Sequence, residues 1–295
     1  MNRRDFLKTG AAFIGAGVFI PPVFHKALLV LEQQSLRGGP ADDGRILVLV
    51  QMAGGNDGLN TVVPFTDTLY YDARPGLSVP QNDALPLDSK TGLHPVMGKF
   101  KELWDKGVVA IVEGVGYPNQ NFSHFVSMDI WQTADPNLKL ADGWLGRYYE
   151  KHKSESQAPF LGLAIGGTLP TSFRTQAVAI PSVQNIASYQ FQKDALGSSI
   201  AAARVQALLS LYLERSSEIG YGPLFYETIL AAGSSTTLLQ DANVSYQPSL
   251  QYPSDALATA FRIVAATIAA DVGVKIFHVA IGGFDTHANQ LEDHP

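Results

Sequence analysis

The chain contains no cysteine. That absence removes disulfides, thiolate-held iron–sulfur clusters and c-type haem attachment together. Without disulfides the fold is held by its core alone, and a chain of 295 residues is long enough for one large core. No Lys/Arg cluster is present and the formal net charge is −6, which argues against nucleic acid as a partner. No apolar run is long enough for a permanent bilayer span. No Gly-x-Gly-x-x-Gly follows the first strand-like run, which sets aside a dinucleotide-dependent redox enzyme. Internal repeats and low-complexity tracts are also missing.

What is present begins at the N-terminus. Arg3-Arg4-Asp5-Phe6-Leu7-Lys8 precedes a weakly apolar stretch from Ala11 to Ile20. A charged segment followed by a short apolar one is a signal peptide, and paired arginines address the twin-arginine route. Gly10, Gly15, Gly17 and Pro21-Pro22 make a poor helix interior, which weighs against an ordinary core helix behind a basic tail. Residues 1–38 are therefore expected to be leader and 39–295 the folded domain, with processing between Ala27 and Gly39. An uncleaved leader would instead act as an anchor. Removing Arg3, Arg4, Lys8, Lys26 and Asp5, a net +3, takes −6 to about −9. The implied partner is the twin-arginine translocase and the implied location is the periplasm or beyond it.

Apolar runs at Arg45–Gln51, Val108–Val112 and Lys275–Ile281 have strand length and the pattern of strands buried on both faces. Leu161–Ile165 and Ala177–Ile180 are weaker strand candidates. Helical spacing covers Pro95–Lys106, with Gly107 as a stop, then Phe122–Thr133, Trp144–Lys151, Ser199–Glu218, Pro223–Ala232 and Asp255–Asp271. Gly233–Pro253 reads as a polar surface connection. Alternating strands and helices predict an α/β fold, a three-layer sandwich with a mostly parallel sheet and right-handed crossovers. Chemistry in such sheets lies outside the carboxyl ends of the strands.

Each of the three main strands runs into a glycine-rich or polar loop. After the first, Gly54-Gly55 permits close backbone approach and Asn56-Asp57 presents oxygen ligands; a tight Asn/Asp-Gly turn explains the same residues. After the second, Asn121-Phe122-Ser123-His124 stands at a helix start, where a hydroxyl sits in a field that favours anions. Asn121 or Ser123 can equally be a helix cap. After the third, Asp285 and His287 stand two apart on an irregular segment and offer oxygen and nitrogen ligands of the kind zinc accepts. Here the alternative is a polar loop with an incidental histidine. A cation held by such groups would activate a hydroxyl or water and neutralise an anionic ester.

The residues Gly54-Gly55-Asn56-Asp57-Gly58-Leu59-Asn60 with Val62-Val63-Pro64, then Gly92-Leu93-His94-Pro95, Ser123-His124-Phe125 with Trp131, and Gly282-Gly283-Phe284-Asp285-Thr286-His287-Ala288-Asn289-Gln290 resemble domain of unknown function family 1501. The resemblance runs from about Ile46 and is weakest between Thr168 and Pro253. It implies an alkaline phosphatase-like fold, in which a Ser or Thr nucleophile at a helix start lies between metal sites built from Asp and His. Carried onto this chain, it implies Ser123 as nucleophile and Asp57, Asp285 and His287 as metal ligands. His124 is a second catalytic candidate, His294 follows it, and His94 orders the loop entering a helix. The implied cofactor is a divalent metal, zinc first, with manganese or calcium as alternatives.

Members of that family continue past the Asp-Thr-His segment with Ser-Glu-Phe-Gly-Arg and Thr-Asp-His-Gly stretches. The resemblance therefore implies a domain incomplete at the C-terminus, with exposed apolar faces and a tendency to self-associate. A one-metal site with three protein ligands can still function. Two expectations follow: an exported metal-dependent hydrolase of phosphate or sulfate esters, or a non-catalytic exported protein that keeps the fold for binding or surface assembly.

Overall fold

The computed structural model describes residues 44–152, 160–176, 178–189, 198–213 and 222–293. The leader expected over 1–38 and the candidate His294 lie outside the described residues. Among those described, no helix is long and apolar enough to cross a membrane.

One sheet has three strands in the order β1 (Leu47–Met52), β6 (Ile276–Ile281), β5 (Gly162–Ile165). Leu47 N donates to Lys275 O at 2.9 Å and Ala53 N donates to Ile281 O at 2.8 Å, so β1 and β6 advance in step and run parallel. With helices between the strands, the protein is α/β. Central β6 buries Ile276, Phe277, His278 and Val279, and β5 is buried throughout. The expectation that β1 is buried on both faces is corrected. It lies at an edge, and Leu47, Val50 and Met52 are exposed. A continuous apolar run reports affinity for a sheet, not the number of neighbours that will cover it.

Val108–Val112 forms no strand. Val108 and Val112 are exposed, and among the described residues the segment joins no sheet. A strand requires a neighbour to share its hydrogen bonds, and β-propensity alone does not supply one. Residues 178–180 likewise carry no strand; a parallel bridge joins Ala164 to Ser182 instead, and residue 177 lies outside the description.

Two compact units divide the chain, and the boundary cuts through β1 and β6. One unit comprises Leu49–Leu140 with Val279–Pro295. It opens with α1 (Gly58–Thr61), capped by the Asp57 carboxylate, and α2 (Thr68–Ala73), capped by Asp67. A small antiparallel sheet in the order β2 (Val62–Val63), β4 (Gly92–Leu93), β3 (Leu85–Pro86) follows. Val63, Phe65, Tyr70, Val79 and Ala84 form its core. The Tyr70 hydroxyl donates to Asn60 Oδ1 at 2.8 Å and accepts from Val79 N at 2.8 Å, while Asn60 Nδ2 donates to Leu77 O at 2.9 Å. Buried polar atoms are thereby paired beside the loop that follows β1. A 3₁₀ turn at Pro95–Met97 leads into α3 (Gly98–Asp105), which stops at Gly107 in left-handed backbone, as its sequence predicts. Next comes α4 (His124–Thr133).

The other unit comprises Ala141–His278 with the described residues up to Val48. It holds α5 (Trp144–His152), α6 (Ser198–Leu213), α7 (Gly222–Ser245) and α8 (Ala256–Ala269). The polar connection expected over Gly233–Pro253 is mostly helix, because α7 runs on to Ser245. Ala231, Ser235, Leu239 and Ala242 are buried at helical spacing. The Ser235 hydroxyl pairs with the Tyr189 hydroxyl at 2.7 Å, and Thr236 Oγ1 donates to Ala232 O at 2.7 Å. Serine and threonine thus hide the stripe from a hydropathy reading while their hydroxyls find partners. In α8, capped by Asp255, the stripe Ala260, Ile263, Val264, Thr267 is buried and legible. The chain then enters β6, leaves it at Ile281 and returns to a last short helix, α9 (Gln290–Asp293), in the first unit.

Candidate metal centre

The segment after β6 carries Asp285 and His287 on irregular backbone, with Gly283 at φ 99° and Asn289 at φ 61°. Residues two apart on such a segment can turn towards one point, and here they do. His287 Nε2 lies 2.7 Å from Asp285 Oδ1.

The third member comes from the start of α4. Ser123 occupies the cap position with extended backbone, and His124 is the first helical residue. Asn121 Oδ1 accepts from Ser123 N at 2.8 Å, Asn121 N donates to the Tyr117 hydroxyl at 2.8 Å, and that hydroxyl pairs with Ser127 Oγ at 2.7 Å. The loop before the helix is therefore laced to its first turns, which fixes where His124 emerges. His124 Nε2 lies 3.0 Å from Asp285 Oδ1 and 3.4 Å from His287 Nε2.

Two imidazole nitrogens and one carboxylate oxygen form a group that could hold a metal ion. Zinc takes this donor set, and tetrahedral bonds of about 2.0–2.1 Å place ligand atoms about 3.3 Å apart. The 3.4 Å between the two Nε2 atoms is of that size, while the 3.0 and 2.7 Å approaches to Asp285 Oδ1 are of hydrogen-bond length and would open slightly around a cation. Three protein ligands leave a fourth position open, as catalytic rather than structural sites do. All three side chains are exposed.

Asp57, expected as a ligand, is engaged elsewhere. Its Oδ1 accepts from Leu59 N at 3.1 Å and Asn60 N at 3.2 Å, and its Oδ2 accepts from Arg74 Nη1 and Gln290 Nε2. Burial pushes the carboxyl towards its neutral form, but the hydrogen bonds of Arg74 and Gln290, the Arg74 charge and the Asn60 N–H outweigh it. Together they hold Asp57 below the usual carboxylate range. It is not a member of the His–Asp–His group.

Ser123, the expected nucleophile, is exposed, and its hydroxyl makes no capping bond. His124, expected as a second catalytic group, stands instead among the candidate ligands. His94 caps the 3₁₀ turn at Pro95–Met97, with Val96 N donating to its Nδ1 at 3.5 Å, which is the loop-ordering task its position suggests. Arg74 and Gln290 escaped the sequence reading as partners of Asp57. Gln290 belongs to the polar run after His287, and nothing local marks Arg74.

Comparison of the chain with models of known protein families, with curated proteins and with solved structures found no match.

Proposed function

We propose that the chain is an exported metal-dependent hydrolase of anionic esters, phosphate or sulfate, built on an alkaline phosphatase-like α/β domain of the kind found in domain of unknown function family 1501. The observation that carries this reading is the convergence of His124 Nε2, Asp285 Oδ1 and His287 Nε2 within 3.4 Å of one another, from the first residue of α4 and the segment after β6. His124, Asp285 and His287 would hold the cation, zinc in preference to manganese or calcium. Bound there, it would lower the pKa of a hydroxyl or water and offset the charge of the ester.

The chain's own residues supply the rest. Ser123 Oγ, next in sequence to His124 and not spent on capping, would attack the phosphorus or sulfur atom as its proton passes to solvent. The bond to the ester oxygen would break to release the alcohol, and water would then hydrolyse the serine adduct to free phosphate or sulfate. The first N–H groups of the ten-residue helix α4 would favour an anionic group bound at its start. The twin-arginine leader would deliver the folded protein, with its metal, to the periplasm.

A second reading is a non-catalytic exported binding protein. Phe122 and Phe125 flank the Ser123-His124 pair and are 88% and 85% exposed, and Val112 is 78% exposed, which favours a surface made to be covered. Metal analysis of the purified chain and turnover of aryl phosphate and aryl sulfate esters separate the two. Bound metal with turnover that collapses in Ser123→Ala supports the hydrolase. Zinc, manganese and calcium all at trace level, with any turnover unchanged in Ser123→Ala, overturns it.

A further inference from the structure

We infer that the glycine pair after β1 is the template that orients the metal ligands, with Gly54 setting the backbone of Asp285 and Gly55 setting the imidazole of His124. The inference rests on His124, Asp285 and His287 being a metal group, and it adds the part of the chain that gives the group its shape.

A Cβ placed on Gly54 would lie 2.6 Å from Asp285 N, 3.0 Å from Asp285 Cβ and 3.2 Å from Phe284 C. These are backbone and near-backbone atoms, so the ligand-bearing segment itself would have to move. On Gly55 a Cβ would lie 3.2 Å from His124 Cε1 and 3.3 Å from its Nδ1. The Cε1–Nδ1 edge of the imidazole therefore occupies the space a Gly55 side chain would need, while Nε2 lies towards the carboxylate and His287. Both glycines also have left-handed backbone, φ 114° and 97°.

The template is anchored at both ends. Ala53 N donates to Ile281 O at 2.8 Å, tying the loop to the end of β6 just before the ligand segment. Beyond the glycines, Asn56 Nδ2 donates to Thr61 Oγ1 at 2.9 Å and Asp57 accepts from Gln290, three residues past His287. One loop thus touches the segments that carry all three ligands. Its contact must be backbone, because a methyl group would shift the ring by a few tenths of an ångström. Metal sites tolerate about 0.2 Å.

Gly55→Ala is the decisive variant, since Gly54→Ala displaces backbone and can simply prevent folding. Gly76→Ala controls for strain: its φ is 85° and no atom lies within 4 Å of the added Cβ. The full chain, stripped of metal, is titrated with zinc against a chromophoric chelator and with cobalt, whose visible absorption reports ligand geometry. Expected are zinc affinity about 10- to 100-fold weaker in Gly55→Ala and an altered cobalt spectrum. Its melting temperature without metal should match that of Gly76→Ala, which keeps parental affinity and spectrum. Parental affinity and spectrum in Gly55→Ala would overturn the template while leaving the metal site standing. A parent chain that binds neither ion overturns the metal reading itself.

Discussion

The Nε2 atoms of His124 and His287 face each other across 3.4 Å although the residues are 163 positions apart. Both also approach the same oxygen of Asp285. Two imidazoles can share one carboxylate oxygen when protonated, or one cation when neutral, and the two states compete. Zinc affinity is accordingly expected to fall as the medium is acidified, because an imidazole binds a cation only when deprotonated. Chelator competition at neutral and at mildly acid pH checks it; an affinity that does not fall contradicts imidazole ligation.

Removal of a ligand should cost more than removal of a residue that merely supports one. His124→Ala, Asp285→Asn and His287→Ala are each expected to lower zinc affinity by more than the roughly 10- to 100-fold seen for supporting residues. Chelator competition on the three variants gives the ranking. If His124→Ala binds zinc as the parent does, His124 is not a ligand.

Asp57 is held by Arg74 and Gln290 rather than placed beside His124, Asp285 and His287. Asp57→Asn should therefore keep one zinc per chain, where a ligand role demands its loss. Its effect belongs to stability. The folded-state pKa is depressed from 3.8, so the stabilisation is present above the unfolded value and disappears as pH falls through the folded one. Asp57→Ala, which loses the α1 cap and a charge-assisted bond, is expected to cost about 1–3 kcal/mol near neutrality. Denaturant unfolding of parent and Asp57→Ala should converge towards strongly acid pH.

His278 is buried in β6 against the Phe173 ring, and desolvation lowers its pKa from 6.5. Between the folded value and 6.5 the unfolded chain binds more protons, so stability declines as pH is lowered through that window and levels off below it. In His278→Leu this part of the pH dependence should be absent, as thermal melts between neutral and mildly acid pH will record.

Leu239 lies wholly buried on the stripe of α7 where the sequence suggests a polar connection. Leu239→Ala should destabilise the protein by about 2–5 kcal/mol, read from denaturant midpoints at constant slope. A neutral substitution would mean that the helix does not pack there.

The sequence by itself determined the elements whose signal is carried within a few residues. Examples are the apolar run of β6, the capped stripe of α8, the stop at Gly107 and the irregular loop on which Asp285 and His287, two apart, turn towards one point. Tertiary structure alone decided which residues complete that loop's chemistry. It drew His124 in from the start of α4, diverted Asp57 to Arg74 and Gln290, left Val108–Val112 without a strand partner among the described residues and placed β1 at an edge. The reason is physical: helical spacing and caps act over one or two turns of chain. Hydrogen-bond partners, burial and ligand sets depend instead on atoms brought within about 3–4 Å by packing, from positions that no local pattern connects.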